Sequence, residues 1–248
     1  MTGRGILALC LFLTLFPLRV LAAGPELSVA LAADTVDITT GFSGARIDLF
    51  GIKPVAGDIA VVVSGPEREL RVRRKESVLG LWINRRSVTF HSVPVYYDYA
   101  LSRPEEALAP LEVRRAQRIG LDALTFDPET TEDPEDLARF QEGLIRSQQI
   151  AGLYPLKAKP VVFLNDTFFR TTLTVPPDVP TGEYTIRTFL IHDGRVSAVR
   201  ETPLRIAQVG FPARVYLFAQ ENGFLYGLCT VLMAVMAGAG AHVFLRKD

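Results

Sequence analysis

Seven basic residues gather between positions 68 and 86, and they are the part of the chain best suited to holding an anion. Alternate residues of a strand share one face, so Arg71, Arg73 and Lys75 would present one charged surface. Guanidinium and ammonium groups bind oxyanions and acidic head groups. The pattern therefore predicts a candidate anion-binding site made of Arg71, Arg73, Arg74 and Lys75. We favour the other interpretation, a charged edge strand that discourages association between sheets, because it needs no partner.

An acidic stretch at residues 127–136 offers the opposite chemistry. Clustered carboxylates suit a hard divalent cation, but the spacing matches no calcium-binding loop of the EF-hand type. Its later members Asp133 and Pro134 have the pattern of an N-cap followed by proline at the first helical position. We therefore interpret the stretch as a solvated loop that leads into a helix, and we predict no metal and no cofactor.

Signatures of common enzymes are missing from the chain. It has no G-x-S-x-G elbow, no H-E-x-x-H pair, no phosphate-binding glycine loop and no dinucleotide fingerprint. A lone strand histidine such as His91 is more often a surface or core residue than a catalytic one. We therefore predict a non-enzymatic protein. A hydrolase whose carboxylates meet only in the folded chain is the alternative, because sequence-distant sites leave no local pattern.

The N-terminal segment has the composition of a secretory signal. Residues 1–22 combine Arg4 with an apolar core from Ile6 to Phe16, and small or tolerated residues precede a cleavage site. The apolar core is too short to span a bilayer well. We predict a cleaved signal peptide at 1–22 and a body that lies outside the cytoplasm. Cys10 leaves with the signal, so the mature body has no cysteine with which to form a disulfide.

The C-terminal segment predicts one transmembrane helix. Residues 223–245 contain no Asp, Glu, Lys or Arg, and Arg246 and Lys247 follow at once. A helix of this length, at about 1.5 Å per residue, measures about 34 Å and crosses a bilayer with some tilt. The positive-inside rule then places the tail at 246–248 in the cytoplasm.

Small residues recur along this segment at steps of three or four, which places them on one face of a helix. They are Gly223, Gly227, Thr230, Ala234, Gly238 and Ala241. Such a face lets a second helix approach closely. It predicts contact with another integral membrane protein or with a second copy of the chain.

The body between these ends combines β-structure with a helical insertion. Segments 23–100 and 154–210 contain short β-branched or alternating runs bounded by Gly and Pro, as in a β-sandwich. Segment 101–153 contains prolines at helix-starting positions and an apolar stripe at helical spacing. We predict a mainly β, immunoglobulin-like sandwich with a helical insertion, joined to the membrane by a connector at 211–222. The immunoglobulin-like part rests on analogy with turn-to-strand phrases of exported proteins.

Several local elements are predicted sharply enough to be checked one by one. Two short strands are expected at 82–84 and 87–91, and another at 168–175. The phrase from His192 to Arg195 predicts a hairpin turn through its Asp-Gly pair. The helix that begins after Asp133 is expected to bury one stripe, whose members are Leu137, Phe140, Leu144 and Ile145.

Many short phrases occur in the order found in one family of bacterial proteins of about this length. They include Thr40–Gly44, Leu49–Gly51, Gly80–Asn84, Val93–Tyr97 and Pro180–Tyr184. On these residues the chain resembles the alphaproteobacterial putative transmembrane protein family. The resemblance implies a bacterial inner membrane location with the body in the periplasm, and it implies no activity. Genes of that family often neighbour permeases of the sulfite-exporter type, so it also implies a transporter accessory role.

These observations favour a non-enzymatic, membrane-anchored periplasmic protein that is an accessory or interaction subunit of an integral membrane protein such as a transporter. The alternative is a periplasmic ectodomain that binds an anion or solute through the arginine-rich hairpin. No overall field favours nucleic acid, because the formal net charge is zero.

Overall fold

The computed structural model describes residues 26–78, 81–129 and 133–245. The predicted signal peptide at 1–22 and the predicted tail at 246–248 lie outside the described residues. The chain is mainly β, as predicted. The strands are β1 (Ser28–Leu31), β2 (Thr35–Ile38), β3 (Ala45–Ile52), β4 (Asp58–Ser64), β5 (Glu67–Val78), β6 (Leu81–Pro94), β7 (Tyr97–Leu101), β8 (Asp127–Glu129), β9 (Lys159–Pro160), β10 (Val162–Phe163), β11 (Phe168–Val175), β12 (Gly182–His192) and β13 (Arg195–Gln208). The helices are α1 (Glu105–Leu108), α2 (Leu111–Gln117), α3 (Pro134–Ile150), α4 (Phe211–Glu221) and α5 (Gly223–Leu245).

Two of the three sheets in the described part of the chain share one hydrophobic core. The larger has the strand order β2-β13-β12-β4-β7-β9, and the smaller has the order β1-β3-β11-β10. Buried and less buried residues alternate along β3 and β11, and Leu49 and Phe169 are fully buried. This period of two is that of a strand with one face on a core and the other towards solvent. Each sheet therefore buries its apolar face against the other.

Strand β4, near the middle of the larger sheet, is buried on both faces. Its residues 59–63 are at most 2% exposed. The segment that carries α1 and α2 covers the face turned away from the smaller sheet. There, the hydroxyl of Tyr97 donates to the carbonyl of Arg118 at 2.7 Å and accepts from the N–H of Gly120 at 3.0 Å. A strand covered on both faces needs a continuous apolar run rather than an alternating one, which explains the valines of β4.

A long hairpin, formed by β5 and β6, makes the third sheet together with β8. The prediction of two short strands at 82–84 and 87–91 was wrong, because β6 is one continuous strand. The pairing register shifts between Arg74 and Lys75 and skips Arg85 on the opposite strand. A bulge of this kind absorbs an extra polar residue without ending the strand.

Helix α3 begins as predicted, with Asp133 at the N-cap and Pro134 in the first turn. Phe140 and Leu144 of the predicted stripe are buried, and the other two members are half-buried. The helix ends before Gly152, whose φ of +70° lies in the left-handed region that glycine adopts readily. The buried stripe holds α3 against the long hairpin, where the helix contacts β5.

The hairpin turn predicted at His192–Arg195 is confirmed. Asp193 and Gly194 have φ angles of +49° and +72°, as the two central residues of a type I′ turn require. Strand β11 has the predicted bounds, 168–175.

The chain leaves the larger sheet at the end of β13 and continues as two helices. The predicted connector at 211–222 is itself largely helical, as α4, and α5 occupies the segment predicted to span the membrane. In the part of the chain that the structure describes, no single helix qualifies as a membrane span by length and hydropathy. Val215–Glu221 and Gly223–Ala239 qualify only as a pair, bent by 119°.

Candidate functional site

A groove runs between strand β5 and helix α3, on the hairpin that carries the predicted anion site. Two adjoining cavities, of about 330 Å³ and about 380 Å³, share the lining residues Val72, Arg73 and Gly143. Strand β5 is the outer strand of its sheet, so in the described chain only β6 pairs with it. The groove therefore lies beside a strand edge whose outward backbone groups have no neighbouring strand.

Residues of β5 that line the groove alternate in chemistry. Leu70 and Val72 lie opposite buried residues of β6 and face the core. Arg71 and Arg73 alternate with them and are exposed. The Nε of Arg71 donates to the Thr89 hydroxyl at 3.5 Å, and neither arginine has a carboxylate partner among the described residues. Two of the predicted anion-site residues are thus brought to the groove, and no carboxylate among the described residues compensates their positive charge.

The helix side of the groove adds Arg139, whose charge is partly satisfied on α3 itself. Its guanidinium lies 2.6 Å from Glu135 and 3.8 Å from Asp136. Exposed pairs of this kind contribute little to stability, and the two carboxylates offset the positive charge of Arg139. The remaining predicted anion-site residues, Arg74 and Lys75, follow directly in β5. The side chains of Arg74 and Lys75 are not among those that the structure describes.

Sequence reasoning missed Gln148, the most unusual polar group in the groove. It is 7% exposed and lines the larger cavity. Its Nε2 finds no hydrogen-bond partner in the described part of the protein. A buried polar group without a partner costs about 1–3 kcal/mol, so a bound acceptor would relieve that cost. The signal in the sequence was its spacing, four residues after Leu144 on the buried face of α3.

Another cavity, of about 690 Å³, lies beside α1 and the segment that leads into β9. It contains carboxylates, but two of them are already engaged. Buried Arg114 lies 2.6 Å from Asp122 and 3.8 Å from Glu105, and the hydroxyl of Tyr99 donates to Glu105 at 2.5 Å. These contacts fix the helical segment on the sheet. They give the carboxylates an architectural role in the folded chain.

A second polar cluster lies in the core between the two larger sheets. Asp98 is 2% exposed, and it accepts hydrogen bonds from the backbone N–H of Tyr99 at 3.0 Å and from the ammonium group of Lys159. The hydroxyl of Tyr96 lies 3.2 Å from Asp98 Oδ2 and 2.5 Å from the carbonyl of Thr174 on the smaller sheet. Burial raises the pKa of Tyr96, and the Asp98 carboxylate raises it further. The cluster ties the sheets together with its polar groups satisfied.

The described residues of the acidic stretch at 127–136 belong to a strand and to the start of a helix. Its first residues form β8, and Asp133 begins α3, while 130–132 lie outside the described residues. Asp136 lies 2.6 Å from Arg86 and so links α3 to the hairpin. No three His, Cys, Asp or Glu side chains among residues 26–78, 81–129 and 133–245 are placed to hold a metal ion.

The predicted helix-contact residues all lie in α5. They are Gly223, Gly227, Thr230, Ala234, Gly238 and Ala241. A Cβ added at any of the three glycines would meet nothing within 4 Å. The hydroxyl of Thr230 donates to the carbonyl of Tyr226 at 2.8 Å, so it is satisfied within its own helix. The side chain of Ala241 falls outside the described ones. The described part of this face is therefore open.

Comparison with known proteins places the chain in a family context. The model of a family described as "Putative transmembrane protein (Alph_Pro_TM)" matches residues 26–247. This match runs from the first described strand through α5, so it covers the sheets, the groove and the C-terminal helix together. No curated protein and no solved structure matches the chain.

Proposed function

Because the chain belongs to the alphaproteobacterial putative transmembrane protein family, whose model covers residues 26–247, we propose that it is a membrane-anchored, non-enzymatic protein of the bacterial inner membrane. Its body lies in the periplasm and its C-terminus in the cytoplasm. It serves as an accessory or interaction subunit of an integral membrane protein such as a transporter. A permease of the sulfite-exporter type is the specific partner that the family resemblance suggests.

Helix α5 is the observation that carries this proposal. From Gly223 to Leu245 it contains no Asp, Glu, Lys or Arg, and large apolar side chains such as Phe224 and Met236 are 84% and 66% exposed. So large an apolar surface on one helix requires cover by lipid or by another apolar surface. Its small-residue face would admit a neighbouring helix at close range.

Helix α4 supports the same arrangement. Its exposed Tyr216, Leu217 and Phe218 are of the types found where a helix lies in the interface of a bilayer. The bend of 119° between the two helices would let α4 lie along the surface while α5 crosses. A single-pass crossing by residues 223–245 is part of this proposal, as is the immunoglobulin-like relationship of the two larger sheets.

The strand register brings the base of the basic hairpin to the end of the larger sheet from which the chain enters α4. Ser64, the last residue of β4, pairs with Thr185, and Thr185 pairs with Pro203 of β13. From there β13 runs on towards α4, so the hairpin base and the exit to the membrane helices share one end of the larger sheet. A partner embedded in the same membrane would lie within reach of both α5 and the hairpin.

Recovery of partners from native membranes tests the proposal. The full chain, tagged at its C-terminus, is extracted in mild detergent from the cells that make it and purified with whatever stays bound. We expect an integral membrane protein, or a second copy of the chain, to be recovered in fixed proportion. Recovery of the chain alone, as a monomer, would contradict the proposal.

A second candidate function, anion binding by the ectodomain, is favoured by the uncompensated charges of Arg71 and Arg73. The full chain in lipid nanodiscs would then be stabilised against heat by sulfite, sulfate or phosphate. The shift should disappear when both arginines become glutamine. No shift with these anions, or a shift that survives the substitutions, would remove this candidate.

A further inference from the structure

We propose that the groove between β5 and α3 docks an extended, acidic segment of a partner protein, which adds as a strand to the free edge of β5. The inference rests on the proposed function and deepens it by naming the surface and the chemistry through which the partner is held. It differs from the anion-binding candidate because the ligand is a peptide backbone with carboxylates.

The geometry of the groove is that of a peptide site. A strand edge forms one wall and a helix forms the other, and consecutive residues Leu70, Arg71, Val72 and Arg73 line the groove. An extended peptide that pairs with such an edge gains main-chain hydrogen bonds, and its alternate side chains enter the space beside the helix. Four strand residues span about 10 Å, enough to pair with a segment of about four residues.

The charge of the groove selects acidic segments. Arg71 and Arg73 stand on one wall without carboxylate partners in the described chain, while Arg139 on the other wall is already paired with Glu135 and Asp136. Carboxylates of an added strand would lie beside these guanidinium groups and form charge-assisted hydrogen bonds. A basic segment would meet repulsion at the same positions.

Gly143 keeps the groove open. It lies inside α3, where glycine costs about 1 kcal/mol relative to alanine. The nearest atom to a Cβ added there is a methyl carbon of Val72, 4.0 Å away, so close packing does not explain the glycine. A side chain at this position would project into the space that an added strand needs.

Gln148 supplies a donor at the end of the groove. Its amide is more than nine-tenths buried and lines the cavity, and it has no partner in the described part of the chain. Its Nε2 atom is enclosed in the described structure, so the side chain must turn towards the groove to donate to a backbone carbonyl of the docked segment. The nearby Ser147 adds a second polar group to the same wall.

Peptide binding to the full chain in nanodiscs tests the proposal. The probes are two fluorescein-labelled decapeptides, one alternating glutamate with valine and one alternating lysine with valine, measured by fluorescence anisotropy. We expect the acidic peptide to bind and the basic peptide to bind at least tenfold more weakly. A third probe, the acidic peptide with alternate backbone nitrogens methylated, should lose binding because it cannot pair with the strand edge. Equal binding of all three would overturn the proposal.

Variants localise the binding. Gly143→Leu should abolish it, while Gly41→Leu, at another glycine with nothing within 4 Å of an added Cβ, should leave it unchanged. Replacing Arg71 and Arg73 by glutamine should weaken it about fivefold, as the loss of two exposed ion pairs predicts. Binding that survives Gly143→Leu in a chain whose thermal unfolding is unchanged would overturn the proposal.

Two further outcomes separate this inference from the proposed function. In the first, the Gly143→Leu variant no longer binds the acidic peptide but recovers the same amount of membrane partner as the wild-type chain. The groove is then not the docking surface, although the proposed function stands. If the chain forms a dimer in nanodiscs that Gly143→Leu dissolves, a second copy occupies the groove, and the acidic-peptide proposal is wrong.

Discussion

The chain places charged groups in two contrasting regions. Inside the core, the carboxylate of Asp98 has three donors around it: the hydroxyl of Tyr96, the backbone N–H of Tyr99 and the ammonium group of Lys159. In the groove, Arg71 and Arg73 of the hairpin stand exposed beside a strand edge, and the buried amide of Gln148 in α3 has no partner in the described chain. Among the described residues, the first cluster has its partners and the second does not.

The contrast separates architecture from interaction. A buried carboxylate is tolerated only when its partners are present, so the Asp98 cluster holds the two larger sheets in one arrangement. Unpaired cations around an open groove contribute little to folding. The proposed ligand of the groove would use these charges together with the Gln148 amide, which has no partner in the described chain. Substitutions in one region at a time separate the two roles, because those in the core should change the free energy of unfolding most and those of the groove arginines least.

Asp98→Ala should give the largest effect. Removal of one partner leaves the ammonium of Lys159 and the hydroxyl of Tyr96 without their carboxylate, and breaking a buried pair in this way costs about 3–5 kcal/mol. Chemical denaturation of the full chain in detergent would measure the loss. Asp166→Ala, at an exposed turn, serves as the control and should change stability by less than about 0.5 kcal/mol. Equal effects of the two substitutions would remove the architectural role of the cluster.

Tyr97→Phe should have an intermediate effect. It keeps the ring but removes the hydroxyl, which leaves the N–H of Gly120 and the carbonyl of Arg118 without their partner. An unsatisfied buried group costs about 1–3 kcal/mol. Thermal unfolding would show the loss, whereas Tyr216→Phe, at a 64% exposed tyrosine, should leave the transition in place. An unchanged unfolding temperature in Tyr97→Phe would mean that the N–H of Gly120 and the carbonyl of Arg118 find other partners.

Gly143→Ala should be stabilising, by about 1 kcal/mol, because alanine is favoured over glycine inside a helix and the added methyl meets no closer atom than Val72 at 4.0 Å. The same substitution narrows the groove. A raised midpoint of unfolding together with weaker binding of the glutamate-valine peptide would show that the glycine serves the ligand and not the fold. A destabilised protein would show that the space at this position is needed by the fold itself.

The pair of substitutions Arg71→Gln and Arg73→Gln should have the smallest effect on stability, below about 0.5 kcal/mol, because exposed charges without partners add little to folding. Equilibrium unfolding by urea would measure it. A loss of more than about 2 kcal/mol would place these arginines with the Asp98 cluster, as part of the architecture.

Local patterns predicted much of the fold. The bounds of β11, the Asp-Gly turn at 193–194 and the start of α3 at Asp133 depend on neighbours in the sequence, so the sequence alone was sufficient. The single strand β6 was missed because its continuity depends on a bulge across from Arg74 and Lys75. Such a bulge is a property of the pair of strands and leaves no signature in either one.

The groove was only half predictable. Alternation along β5 singled out Arg71 and Arg73, but the other wall comes from α3, about seventy residues away in the chain. Gly143 and Gln148 are ordinary residues of a helix until the tertiary fold places them against a strand edge. The Asp98 and Lys159 pair was missed for the same reason, since 61 residues separate its members.

The most direct test of the central claim, lateral engagement of a membrane partner, is partner recovery from native membranes with the double variant Gly227→Leu and Gly238→Leu. Among the described residues nothing lies within 4 Å of a Cβ at either position, so insertion and folding should be unaffected. We expect the variant to reach the membrane in normal amounts and to recover the partner, or the second copy, in much reduced proportion. Full recovery by a correctly inserted variant would contradict the account and leave α5 as an anchor alone.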